Sequence, residues 1–142
     1  MACRLLDQVT SAHRLSFRVH DERLSIARLP ADAPIPAWAL GAFVTVSRTR
    51  DELSVVCAQS HVPLEVVQTR DKIALGIVGV VPMTTVGLLA DLCVALAARS
   101  VPVFVISTHD TDWLLISADR FEAGRAALES IGQCVEGDLP SR

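Results

Sequence analysis

The sequence is poor in the signals that announce chemistry. Its four cysteines, Cys3, Cys57, Cys93 and Cys134, stand far apart, so neither a zinc knuckle nor a redox pair is encoded. No histidine joins them in a ligand cluster, and no metal is expected. Cys57 lies in an apolar strand-like run and Cys93 in a helix-like one, where each reads as a small buried hydrophobe. There is no G-x-S-x-G elbow, no phosphate-binding loop and no G-x-G-x-x-G fingerprint, which removes the common routes to hydrolysis and to nucleotide cofactors. The chain is therefore expected not to be an enzyme and to need no cofactor.

Charge of one sign is also lacking. The net charge is −3, and the arginines Arg4, Arg14, Arg18, Arg23, Arg28, Arg48 and Arg50 are scattered among acids. No basic stripe invites nucleic acid. The longest apolar region, 73–89, is broken by Gly76, Gly79 and Pro82, so it falls short of the ~18 apolar residues of a membrane helix. The first residues, MACRLLDQ, lack the apolar centre of a signal peptide. A cytoplasmic location without membrane contact is the expectation.

What the chain does have is core. Of its 142 residues, 51% are hydrophobic, enough for one compact domain or two very small ones. Residues 13–20 alternate, with Leu15, Phe17 and Val19 on one side, as a half-buried strand does. Leu24, Ile26 and Leu29 suggest a second strand. Three prolines within seven residues, Pro30 to Pro36, enforce a loop with at most one helical turn near Trp38. Strands are expected at 42–48 and 53–57, a short irregular piece at 59–64, and a brief strand at 65–69.

The second half has cleaner periods. A buried strand is expected at 73–81, then a helix capped by Thr84 or Thr85 and running to Arg99. Strands at 102–107 and 112–117 flank a polar turn. Asp119 is expected to cap a helix over 120–131, ended by Gly132, before a short strand at Cys134 and Val135. Both halves can be read as βαββαβ, with the helices of the first shrunk to turns. That gives an α+β class, antiparallel sheets with helices on one face. The expected units are 13–71 and 72–136, with a loose tail at 137–142.

Three motifs are candidate sites. In PMTTVGLL, a helix start presents free amides to an anion, and Gly87 leaves the backbone open to close approach. The residues are Met83, Thr84, Thr85, Val86, Gly87 and Leu88; an ordinary capped helix start fits them too. In ISTHDTDWLLI, six consecutive polar residues run from Ser107 to Asp112, more than a hairpin needs. Ser107 or Thr108 could donate to a carboxylate, and Asp110 or Asp112 could pair with an ammonium. His109 with the two aspartates resembles a fragment of a metal site, but no second ligand cluster accompanies it. The alternative is a turn that bonds its own backbone. In SRTRDELSVVC, Arg48 and Glu52 either line a site shared with the other half or form a solvated hairpin.

Taken together, LPADAPIPAWAL, FVTVSRTRDELSVVC and VGVVPMTTVGLLADLCVALAARSVPVFVISTHDTDWLLI resemble the small bacterial proteins made of two ACT units in tandem. The resemblance spans residues 20–132; the VFVIST-x-DTD-x-LLI run also looks like the corresponding strand-turn-strand in the regulatory region of aspartate kinases, and the pairing of units is similar to that in cytosolic arginine sensors. It departs from the pattern at His109 and Trp113, where tyrosine is common. The resemblance implies two ferredoxin-like units packed side by side and a regulatory role. It also implies an amino acid or similar small metabolite bound at the interface between units, and a homodimer acting on some regulated protein. Transferred residue by residue, the loop at Pro82 to Leu88 would face Ser107 to Asp112, or Arg48 to Glu52. The other reading is a protein-interaction or oligomerisation module without a ligand.

Overall fold

The structure, a computed structural model, describes residues 13–142; Cys3, Arg4 and the MACRLLDQ segment lie outside the described residues. These form two compact units. One comprises Asp21–Ile73 with Pro140–Arg142, the other 13–20 with Ala74–Leu139.

The first unit is built on β2 (Leu24–Leu29), β3 (Thr45–Arg48), β4 (Leu53–Ala58) and the first part of β5 (Val67–Ile77). The strands run in the order β3-β4-β2-β5 and pair antiparallel throughout. This is the strand order of a βαββαβ unit. Its helices are replaced by turns, because the prolines of 30–36 cannot supply helical amides. Ala33 N–H closes on Pro30 O and Ala39 N–H on Pro36 O, each at 3.0 Å. Ala27, Leu53, Val55, Cys57 and Val62 form the core, with Trp38 and Val44 packed on it. Burial of each of the larger aliphatic side chains among them, Leu53, Val55 and Val62, stabilises by roughly 1.5–3 kcal/mol.

Two strands expected separately, at 65–69 and 73–81, are one. β5 is continuous for 11 residues, and a register shift opposite Leu24 and Ile26 absorbs the irregularity. Asp71 sits there at φ 55°, the left-handed conformation a bulge uses. Residues 78–81 are loop.

The second unit contains β1 (Ser16–Val19), the end of β5, α1 (Leu88–Ala98), β6 (Phe104–Ser107) and β7 (Asp112–Ser117). A 3₁₀ turn (Ala118–Arg120), α2 (Phe121–Ser130) and β8 (Cys134–Glu136) complete it. Its order is β6-β7-β5-β1-β8. Without β1 this is again βαββαβ, ferredoxin-like and α+β. The sheet is mixed rather than purely antiparallel: β1 is antiparallel to β5 and parallel to β8. Residues 13–20, expected with the first half, thus fill a place between the first and last strands of the second unit. Phe17, Leu75, Leu92, Leu96, Leu114, Ile116, Phe121 and Leu128 are fully buried, and α1 packs on α2.

Asp119 does not cap α2. It lies inside the 3₁₀ turn, and the cap position is Arg120 without a side-chain bond. Gly132 ends α2 at φ 88° as expected. Cys57 is buried, whereas Cys93 is only half-buried. The tail is held, not loose: Arg125 donates to Gly137 O, and Arg23 Nε donates to Pro140 O at 3.0 Å. Among the described residues no helix is long and apolar enough to cross a membrane, and no cluster could hold a metal ion.

Candidate functional site

The loop between β5 and α1 carries the first motif. It is tied to the β6–β7 hairpin by one backbone bond, Val81 N–H to Asp110 O at 2.7 Å, and folds on itself through Thr85 N–H to Pro82 O at 2.9 Å. Thr84 and Thr85 do not cap the helix. α1 starts at Leu88, with Gly87 at the cap position, φ 83°, and no side-chain cap bond. The first backbone bond of the helix is Asp91 N–H to Gly87 O, 3.0 Å. The amides of Leu88, Leu89 and Ala90 precede that bond and carry the positive end of the helix. A Cβ added to Gly87 would meet nothing within 4 Å, so the helix start stands open.

Opposite it is the turn after β6. Thr108 closes the turn twice on Thr111 O, by its amide at 2.8 Å and its hydroxyl at 2.9 Å. Thr111 Oγ1 donates to Ile77 O at 3.0 Å, which fixes the turn on β5. Ser107 Oγ donates to Asp112 Oδ1 at 2.5 Å. His109 Nδ1 lies 2.7 Å from Asp110 Oδ1.

Between loop and turn is a cleft of about 340 Å³, at the small end for metabolite sites. It brings together Met83, Thr85, Gly87 and Leu88 from the first motif with Ser107, Thr108, His109 and Asp112 from the second. Thr84, Val86 and Asp110 are not among its lining residues; Val86 is 91% exposed, and the Asp110 carboxylate turns to His109. Sequence reasoning held Pro82 and Thr111 only as members of the two segments and missed Val81, Leu89 and Ala90; a helix beginning at Leu88 rather than Thr85 would have pointed to Leu89 and Ala90.

Arg48 and Glu52 are engaged within the first unit. The Arg48 guanidinium donates to Ala31 O and, at 2.9 Å, to Ala33 O. Glu52 pairs with Arg28 at 3.2 Å. Trp113 does not line the cleft; it stands edge-on to His20, ring centroids 6.4 Å apart.

Comparison with known proteins gives the following. The model of the ACT domain matches residues 67–130, and a second family model, of an N-terminal domain, matches residues 22–65. A crystallised protein of Agobacterium tumefaciens is 30% identical, with a TM-score of 0.83, covering 92% of this chain and 100% of that one. A Vibrio cholerae protein of unknown function, described as a possible transport protein, is 15% identical with a TM-score of 0.67, over 88% of this chain and 93% of that one. The regulatory subunit of aspartate kinase from Thermus thermophilus, in ligand-free form, is 15% identical with a TM-score of 0.56, over 80% and 96%. No curated protein matches.

Proposed function

The chain belongs to the ACT-domain family, and from that premise we propose that it is a non-catalytic regulatory protein that binds an amino acid in the cleft between Val81–Ala90 and Ser107–Asp112. The observation that carries this reading is the pairing of an open helix start at Gly87 with the Ser107–Asp112 turn across one small cleft. A carboxylate at the helix start would meet the Leu88–Ala90 amides. An ammonium across the cleft would meet the Asp112 carboxylate, which has capacity beyond the one hydroxyl it accepts. Met83, 82% exposed, and Val86 stand at the rim. A neighbouring ACT unit facing that rim, and a homodimer in the cytoplasm controlling a partner protein, belong to the proposal.

A thermal-shift screen against the twenty amino acids tests it. Ligand at 100 times its Kd adds about 2.7 kcal/mol to the folded state, so one chemical class should raise the Tm by several degrees. Asp112→Asn should abolish the shift while leaving the unliganded Tm nearly unchanged. A flat Tm with every amino acid at millimolar concentration overturns the reading.

A ligand-free oligomerisation module is the second reading, favoured by β6. Among the described residues this strand pairs only with β7, and Phe104 on it is 41% exposed. Such an edge can pair with another chain. A monomer in light scattering at high concentration would count against it.

A further inference from the structure

The cleft is uneven in its charge. Among its lining residues, the only ones with ionisable side chains are His109 and Asp112; no lysine or arginine lines it. Asp110 is next to it in sequence, yet its carboxylate faces the His109 ring at 2.7 Å. Of the uncharged lining, Val81, Pro82, Met83, Leu88, Leu89 and Ala90 are apolar. Thr85 adds one hydroxyl, and those of Ser107, Thr108 and Thr111 are already donated within the chain, to Asp112 Oδ1, Thr111 O and Ile77 O.

Resting on the reading above, we infer that the ligand is an α-amino acid with an uncharged, apolar side chain. The α-carboxylate has one positive counterpart, the helix start at Leu88–Ala90, and the α-ammonium one negative counterpart, Asp112. A second carboxylate, as in glutamate, would lose water without gaining a cation, and burying an unpaired charge is costly. A second ammonium, as in lysine, would find Asp112 already occupied and Asp110 already facing His109. An aliphatic or thioether side chain instead covers Val81, Met83 and Leu89 and is favoured by the area it removes from water. Selection here works by leaving wrong charges unpaired.

Isothermal titration of the full chain with L-leucine, L-methionine, L-glutamate and L-lysine tests this. Leucine or methionine should bind at least tenfold more tightly than either charged amino acid. The 2-hydroxy acid analogue of leucine, which lacks the ammonium, should bind at least tenfold more weakly than leucine. Met83→Lys, at an exposed position that does not threaten folding, should weaken leucine and strengthen glutamate, narrowing the ratio about tenfold.

Tightest binding of glutamate or lysine would overturn the ligand class while leaving the site intact. Equal binding of leucine and its hydroxy analogue would overturn the role of Asp112. Absence of heat with all four, together with no amide shifts within 81–90 and 107–112 in a nitrogen-15 spectrum, would overturn the underlying reading as well.

Discussion

The indole of Trp113 covers the backbone of Gly76 so closely that a Cβ added there would fall 2.6 Å from Cζ3 of the ring. The ring has little room to retreat, since it also stands edge-on to His20. Gly76→Ala should therefore destabilise the protein by about 1–3 kcal/mol, read from denaturant melts followed by tryptophan fluorescence. In Trp113→Leu the same glycine change should cost much less. Gly124→Ala makes the contrast. Its Cβ would meet Ile116 Cδ1 at 2.5 Å, the end of a side chain that can turn, and alanine adds up to about 1 kcal/mol of helix propensity. Gly124→Ala should cost less than Gly76→Ala.

Asp71 should make stability depend on acid. Its carboxyl is held below the ordinary 3.8, first by the hydrogen bond from Arg23, which outweighs the opposing effect of burial and is helped by Gln59 and by the charges of Arg23 and Arg142. A group whose folded pKa is lowered stabilises above its unfolded value, and that share is lost as pH falls through the folded value. Asp71→Asn keeps a residue that tolerates the left-handed backbone but removes the charge. The wild type should exceed this variant in Tm at pH 7, and the gap should close as pH falls below the carboxylate range. A gap independent of pH would refute the assignment.

The thiols should separate by reactivity. Burial, and then the charge of Glu22, push the Cys57 thiol up, and the thiolate is the reactive form. In a Cys3→Ser background, a thiol reagent should modify exposed Cys134 first and half-buried Cys93 more slowly. Cys57 should react only on unfolding. Mass spectrometry of partly labelled protein reads the order.

Gly87 joins stability to binding. Its φ of 83° costs an L-residue roughly 1–2 kcal/mol, so Gly87→Leu should lower the Tm and also abolish any amino-acid-induced shift. Gly87→Asn, which bears positive φ better, should keep more of the Tm. If Gly87→Leu bound leucine normally, the helix start would not be the carboxylate site.

Arg48 should matter to the first unit alone. Arg48→Ala leaves the carbonyls of Ala31 and Ala33 to water, with a global cost of roughly 1 kcal/mol. The local effect should be larger: faster amide exchange and easier proteolysis within 30–40.

Much of this was legible in the sequence, for local reasons. β7 and α2 lie where period and turn residues put them. The second half showed its βαββαβ order because each element has its own full apolar face. The polar excess at Ser107–Asp112 did mark one wall of the cleft. The start of α1 was misread because Thr84 and Thr85 are the residue types that cap helices, whereas the backbone required a glycine in the left-handed region. The union of the strands expected at 65–69 and 73–81 into β5 was hidden because Arg70, Asp71 and Lys72 interrupt the apolar pattern, and only pairing across the register shift keeps the strand whole. Arg48 and Glu52 looked like site residues because a charged hairpin does not reveal which carbonyl or counter-ion it faces. The place of β1 depends on partners at the other end of the chain, which no local pattern encodes.

That last point sets an order of events during synthesis. Leu15 N–H bonds to Gln133 Oε1 across 118 residues, and β1 adds its parallel ladder to β8. The strand made first must wait for the strand made last. Meanwhile residues 21–73 can close their own antiparallel ladders as they leave the ribosome. A nascent chain halted before Cys134 would carry the first unit's ladders without the Pro140–Arg142 segment that joins them and, upstream, a strand still without its parallel neighbour.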